Sequence, residues 1–149
     1  MAVQKEKRLG LLAKMILDAE NMVLGRISAF AAKKALLGED VKIVNCEKAV
    51  ITGSKQQIIK SYLDRLELGQ PQKGPFIQRR PDFFVRRTIR GMISRHSPRG
   101  REAFSRVKCF IGPSVEGKAE TLDAARISKL KKSSYMTVGE LCMHIGYKK

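Results

Sequence analysis

The stretch that decides the fold runs from Met15 to Thr52, MILDAENMVLGRISAFAAKKALLGEDVKIVNCEKAVIT. Met15-Ile16-Leu17 is a short apolar run closed by Asp18, the pattern of a buried strand. From Met22 to Leu37 the period lengthens. Val23, Leu24, Ile27, Phe30, Ala31 and Ala35 share one broad helical face, and Arg26 and Lys33 fall on the other. Gly38 is placed to stop this helix, because glycine takes the left-handed closing conformation without a Cβ clash. Val41 to Cys46 reads as a second strand and Ala49-Val50-Ile51-Thr52 as a short third. Strands alternating with a helix of this length predict βαβ units, a mostly parallel sheet and helices on both of its faces.

Working outward, Ser54 to about Leu66 has Ile58, Ile59, Tyr62, Leu63 and Leu66 at core spacing and is read as a helix. Gly69 to Pro75 holds two prolines and two glycines and is a loop. Pro81 starts the next helix, at the position where its missing N–H costs nothing. Along Asp82 to Arg95, Val85, Ile89, Met92 and Ile93 cluster on one face, with Arg86, Arg87 and Arg90 on the far side. Ser97-Pro98-Arg99-Gly100 is expected to break this helix before a short further one, Arg101 to Arg106, and a fourth strand, Val107 to Ile111. Thr121 to Lys132 reads as a helix through Leu122, Ala125, Ile127 and Leu130. Thr137 can cap a final short helix through Val138, Leu141, Cys142 and Ile145.

A chain of 149 residues with 43% hydrophobic side chains suits one compact domain with a core of its own. The three cysteines, Cys46, Cys109 and Cys142, are scattered among apolar neighbours and form no CxxC pair. With only two histidines beside them, they read as small buried hydrophobes in a reducing cytosol rather than as metal ligands. No apolar stretch has the length to span a bilayer or the form of a cleavable leader, so a cytoplasmic location is expected.

Charge is the first functional signal. Thirty Lys and Arg against fourteen Asp and Glu leave +16. Such an excess repels itself unless a polyanion offsets it, and nucleic acid is the leading candidate because phosphate neutralisation releases counterions. Residues 73–108 hold eleven of the basic and two of the acidic side chains, and nine of the thirteen arginines: Arg79, Arg80, Arg86, Arg87, Arg90, Arg95, Arg99, Arg101 and Arg106. Lysine would serve a merely solvated face equally well, whereas guanidinium forks match phosphate oxygens bidentately. Phosphate contacts position a protein without reading bases. Aromatic residues make up 6% with no tryptophan, which argues against single-strand stacking platforms and for recognition of folded RNA through backbone and shape.

Thr52-Gly53-Ser54-Lys55 lies between strand and helix, where three readings stand: a turn with Ser54 as helix cap, a phosphate of RNA at the helix N-terminus, or a nucleotide. The glycine that a nucleotide loop needs just before its lysine is missing, and no GxGxxG accompanies Leu24-Gly25-Arg26. His96 beside Arg95 has no carboxylate neighbour in sequence. Asp18, Glu20 and Glu47 flank strand ends that line the ligand crevice of a doubly wound fold, which keeps a nucleotide-dependent enzyme as an alternative beside a DNA-binding regulator.

Asp18-Ala19-Glu20 with Leu24-Gly25-Arg26, then Val44-Asn45-Cys46-Glu47-Lys48 leading to Ile51-Thr52-Gly53-Ser54-Lys55, resemble the universal large-subunit ribosomal protein of the L-thirteen family. Arg79-Arg80-Pro81, Arg90-Gly91-Met92 and Arg99-Gly100-Arg101-Glu102-Ala103-Phe104 leading to Val107-Lys108-Cys109-Phe110-Ile111-Gly112 continue the resemblance in family order over about residues 15–112. The archaeal form is most similar, through the insertion at 97–102 and the short tail ending Tyr147-Lys148-Lys149.

The resemblance implies a three-layer α/β/α fold around a mostly parallel four-stranded sheet, with a basic helical segment and a C-terminal helical tail. It also implies a non-catalytic structural constituent of the large ribosomal subunit that binds 23S rRNA beside neighbouring ribosomal proteins, with no cofactor, membrane or small-molecule substrate. The RNA contacts it implies fall on the nine arginines, with Lys73 and Lys108 in the same segment and Arg26 and Lys55 outside it. Where the family often has Leu-Pro, this chain has Ile93-Ser94, so the central helix is expected to run on further. Residues 1–14 precede the family's usual start at Met15 and are expected to be a flexible basic arm or the product of an upstream start codon.

Overall fold

The computed structural model describes residues 14–115, 117–129 and 134–148. The first thirteen residues of the expected N-terminal arm lie outside that range. Strand β1 (Lys14–Asp18) pairs in parallel with β2 (Asp40–Val44), Met15 opposite Val41 and Leu17 opposite Ile43. Helix α1 (Leu24–Leu36) makes the crossover, so the opening βαβ unit is as read. Gly38 closes α1 at φ +99° and its N–H reaches the Ala35 carbonyl at 3.1 Å. Leu24, Ile27, Ala31 and Ala35 of the expected face are buried, whereas Val23 and Phe30 are half-buried at its edges.

The parallel sheet has three strands, not four. Its order is β1-β2-β4, where β4 (Val107–Cys109) sets Val107 opposite Val41. The third strand, β3 (Val50–Thr52), leaves it and pairs antiparallel with β5 (Tyr135–Thr137), Ile51 opposite Met136. The reason is chain length. A parallel crossover needs a dozen or more residues, and only residues 45–49 separate β2 from β3. Those residues turn through Asn45 at φ 55° and a short 3-10 turn, Cys46–Lys48. Among the described residues, the outer edge of β1 meets a single bridge, from Leu17 to Glu120.

Further expectations are corrected downstream. Helix α2 (Lys55–Glu67) forms, but none of its side chains is fully buried, and Leu63 is 40% exposed. It lies on the rim of the core and touches it through Ile58, Ile59, Tyr62 and Leu66. Ser54 stands at its N-cap without a capping hydrogen bond. Helix α3 (Pro81–Met92) stops short of the expected Arg95, because Ile93 turns extended (φ −110°, ψ 136°) to bury its side chain. Met92 is 43% exposed and Phe84 takes the core place expected of it, packed on Tyr62 with ring centroids 5.4 Å apart.

The further helix, α4 (Pro98–Arg106), begins three residues earlier than expected: Pro98 fills the first turn and Ser97 Oγ accepts from the Gly100 N–H at 3.1 Å. The helix expected over 121–132 is instead two 3-10 turns, Asp123–Ala125 and Ile127–Lys129, as far as residue 129. Val23 N–H bonds the Ala125 carbonyl and Ile127 N–H the Asn21 carbonyl, so the segment is strapped to the entry of α1 rather than coiled on itself. Residues 130–132 of that expected helix lie outside the described range. Thr137 caps α5 (Val138–His144), accepting from Glu140 N–H at 3.2 Å, and Val138, Leu141, Cys142 and Ile145 are buried as expected.

Leu17, Ile27, Val41, Ile43, Val85, Ile89 and Val107 are fully buried in one cluster that joins the sheet to α1 and α3. Each such burial contributes roughly 1.5–3 kcal/mol, enough to hold α3 in place and fix where its opposite face points.

A candidate nucleic-acid interface

Helix α3 is the scaffold of the site. Pro81 starts it, and Asp82 in the first turn accepts from the Phe83 N–H at 2.9 Å and pairs with Arg80 at 2.8 Å. A carboxylate there also suits the positive end of the helix dipole, and Arg90 in the last turn suits the negative end. Phe84, Val85 and Ile89 are buried, which turns Arg87 and Arg90 outward, where both are exposed.

Arg86 departs from the expectation that all three arginines face solvent. It follows Val85 by about 100° round the helix, so it sits at the edge of the buried face and is itself half-buried. Its guanidinium lies 4.6 Å from the centre of the Phe104 ring, and its Nε is buried without a hydrogen-bond partner among the described residues. Arg87 reaches the Phe76 carbonyl through Nη1. Phe76, Gln78, Phe83 and Phe104 join Arg86, Arg87 and Arg90 around one open groove.

The other predicted residues fall into two sets. Arg79, Arg80, Arg95, Arg99 and Arg101 are exposed along the same segment, and Arg106 is half-buried. Arg79 lies against the end of α5, where a side chain at Gly146 would come within 3.3 Å of its Nη1. Arg99 donates to the Leu36 carbonyl at 3.3 Å and so ties α4 to the C-terminus of α1. Lys73 is exposed in the loop closed by the Gln70–Gly74 bridge, and Lys108 is exposed on β4.

Two residues are not brought in. Arg26 stands about 15 Å along α1 from Leu36 and donates to the Ala124 carbonyl at 2.8 Å. Lys55 faces Glu140 at 3.6 Å. Phe76, Gln78, Phe83 and Phe104 were missed by the sequence reading. The signal that could have found two of them, Phe76 and Phe83, is the interleaving of Phe76, Arg79-Arg80, Phe83-Phe84 and Arg86-Arg87, which puts rings and guanidiniums three or four residues apart.

Among the described residues, Arg80 and Arg106 are the members of the arginine set within 4 Å of a carboxylate, at 2.8 Å from Asp82 and 3.7 Å from Glu102. Most of the guanidinium charge is therefore uncompensated within the described protein. The carboxylates at the strand ends are otherwise engaged. Asp18 accepts from the Asn45 amide at 2.9 Å, Glu47 from the Gly112 N–H at 3.1 Å, and Glu20 pairs with Lys48 at 2.9 Å. That hydrogen bond to Glu20 raises the Lys48 pKa. Cys46 and Cys142 are buried and Cys109 is half-buried, all as thiols. A hydrogen bond with Cys46, then burial, raises the Cys109 pKa, and burial pushes Cys142 up to about 12. No helix among the described residues is long and apolar enough to cross a membrane.

A compact α/β body that turns an arginine-rich face to solvent is the architecture of a polyanion-binding protein. Residues 12–116 match the family model for ribosomal protein L13, and the chain belongs to that family. It is 42% identical over 137 residues to the large ribosomal subunit protein uL13 of Methanopyrus kandleri, covering 89% of this chain and 86% of the relative. The uL13 protein of Methanocaldococcus jannaschii is 44% identical (89% and 98% covered), and that of Haloarcula marismortui 39% identical (92% and 94% covered).

Proposed function

We propose that this chain is a structural constituent of the large ribosomal subunit that binds and stabilises 23S rRNA, during assembly and in the mature cytoplasmic particle, without catalysis of its own. The observation that carries the reading is the arginine-rich segment 73–108 on a packed body, with carboxylate partners within 4 Å only for Arg80 and Arg106 among the described residues. Family membership and the names of the archaeal relatives support it.

In this reading Arg79, Arg80, Arg86, Arg87, Arg90, Arg95, Arg99, Arg101 and Arg106 meet RNA together with Lys73 and Lys108, and Arg26 and Lys55 make separate contacts away from the main face. Residues 15–149 act as one domain, layered α/β/α, packed beside neighbouring ribosomal proteins. Cosedimentation tests the reading. The tagged chain, expressed in its own organism, is expected to travel with the large subunit through a high-salt wash. Recovery of the chain at the top of the gradient, as free protein, overturns it.

A further inference from the structure

Three of the six phenylalanines, distant in sequence, converge on the groove beside α3: Phe76, Phe83 and Phe104. Two of them are strongly exposed for rings of this size, Phe76 at 63% and Phe83 at 42%. Arg86, Arg87 and Arg90 stand among them. The nearest acid in sequence, Asp82, is held by Arg80 and by the Phe83 N–H, so it does not neutralise these guanidiniums. Arg86 already lies on the Phe104 ring, which fixes a flat cationic surface at the groove, and its Nε is buried with no partner among the described residues.

An occupant must therefore offer a flat apolar face to the rings and negative charge to the arginines at the same time. A nucleotide does both: every base has a π-face, and its phosphate is an anion. An apolar protein segment would satisfy the rings but leave the guanidiniums desolvated and unpaired, which is costly.

We propose that this groove captures one unpaired nucleobase of the large-subunit rRNA, stacked against the exposed Phe76 and Phe83 rings and the Arg86 plane, with the adjoining phosphate held by Arg87 and Arg90. The inference rests on the RNA-binding reading and adds to it a base contact where arginine alone would give only backbone contacts. Gln78, with an amide donor and acceptor at the same groove, is placed to meet the base edge. The low aromatic content excludes a long single-strand platform, but one base needs only these rings.

The test uses the full chain with deproteinised large-subunit rRNA of its own organism. Under short-wave ultraviolet light, the wild-type complex is expected to yield a crosslink from the peptide carrying Phe76 or Phe83 to a single nucleotide. Phe76→Leu and Phe83→Leu change exposed positions, keep the apolar character and remove the ring. Each is expected to lower affinity about tenfold, the effect of losing a base–aromatic stack, with an unchanged slope of log affinity against log salt. Wild-type affinity in both variants, without any ring crosslink, overturns the base site while the RNA reading stands. If both variants bind free rRNA normally yet are depleted from assembled subunits, the groove seats a neighbouring protein and the proposal is wrong. Failure of the wild-type chain to bind the rRNA at all defeats the underlying reading instead.

Discussion

Gly100→Ala probes the turn that hands the chain from α3 to α4. A Cβ at this position would stand 1.9 Å from the Ser94 carbonyl oxygen and 2.6 Å from its carbon, with Ser97 Oγ at 3.1 Å. Ordinary contact requires roughly 3 Å or more, so backbone on one side has to move by about 1 Å, and overpacking of this kind costs about 1–3 kcal/mol. The shift also pulls the Gly100 N–H away from Ser97 Oγ, and losing a helix cap costs about 1 kcal/mol. Against this, alanine in a helix gains about 1 kcal/mol over glycine. The net expectation is a loss of about 1–3 kcal/mol.

For a chain of this length that loss is a fall in Tm of roughly 3–10 °C. Gly91→Ala is the internal control, because α3 leaves nothing within 4 Å of a Cβ there. It should be neutral or stabilising by up to about 1 kcal/mol. Thermal unfolding followed by circular dichroism measures both. Equal stability of the two variants would mean that the Ser94 carbonyl does not crowd position 100.

Replacing Arg90, Arg95 and Arg101 with Gln removes three exposed charges. It is expected to leave the circular dichroism unchanged while the salt slope of rRNA binding shrinks by roughly 2–3, at about 0.7–0.9 per lost phosphate contact. Arg86→Gln should differ from Arg90→Gln in stability, losing about 0.5–1 kcal/mol because it removes a guanidinium from the Phe104 ring; equal denaturant midpoints would count against that contact. The Cys142 thiol has its pKa raised by burial from the ordinary 9.0 to about 12. A raised thiol favours the folded state fully below pH 9.0, and that contribution is lost progressively as pH climbs towards 12. Melting temperature should therefore fall across that window, and less steeply in Cys142→Ala relative to its own value at neutral pH.

The opening βαβ unit was legible because its signals are local: an apolar run, a period of 3.6 and a glycine stop. Pairing partners were harder. The five-residue gap after β2 already forbids a parallel crossover to β3, yet β5, its true partner, is only Tyr135-Met136-Thr137, too short to stand out by alternation. Leu122, Ala125 and Ile127 mimic a helical face, but their segment is ruled by hydrogen bonds to Asn21 and Val23, about a hundred residues earlier. A helical wheel predicted the outward Arg87 and Arg90 and misplaced Arg86, because the ring that covers it belongs to α4. The same limit hid the aromatic groove, whose rings come from a loop and two helices.

The salt dependence of binding between the purified chain and deproteinised large-subunit rRNA reads out the phosphate contacts of the arginine face. With six or more exposed basic side chains on phosphates, at roughly 0.7 each, log affinity should fall with log salt at a slope steeper than about −4. A nearly flat line, or equal affinity for any neutral surface, would contradict the claim that this guanidinium face exists to meet RNA.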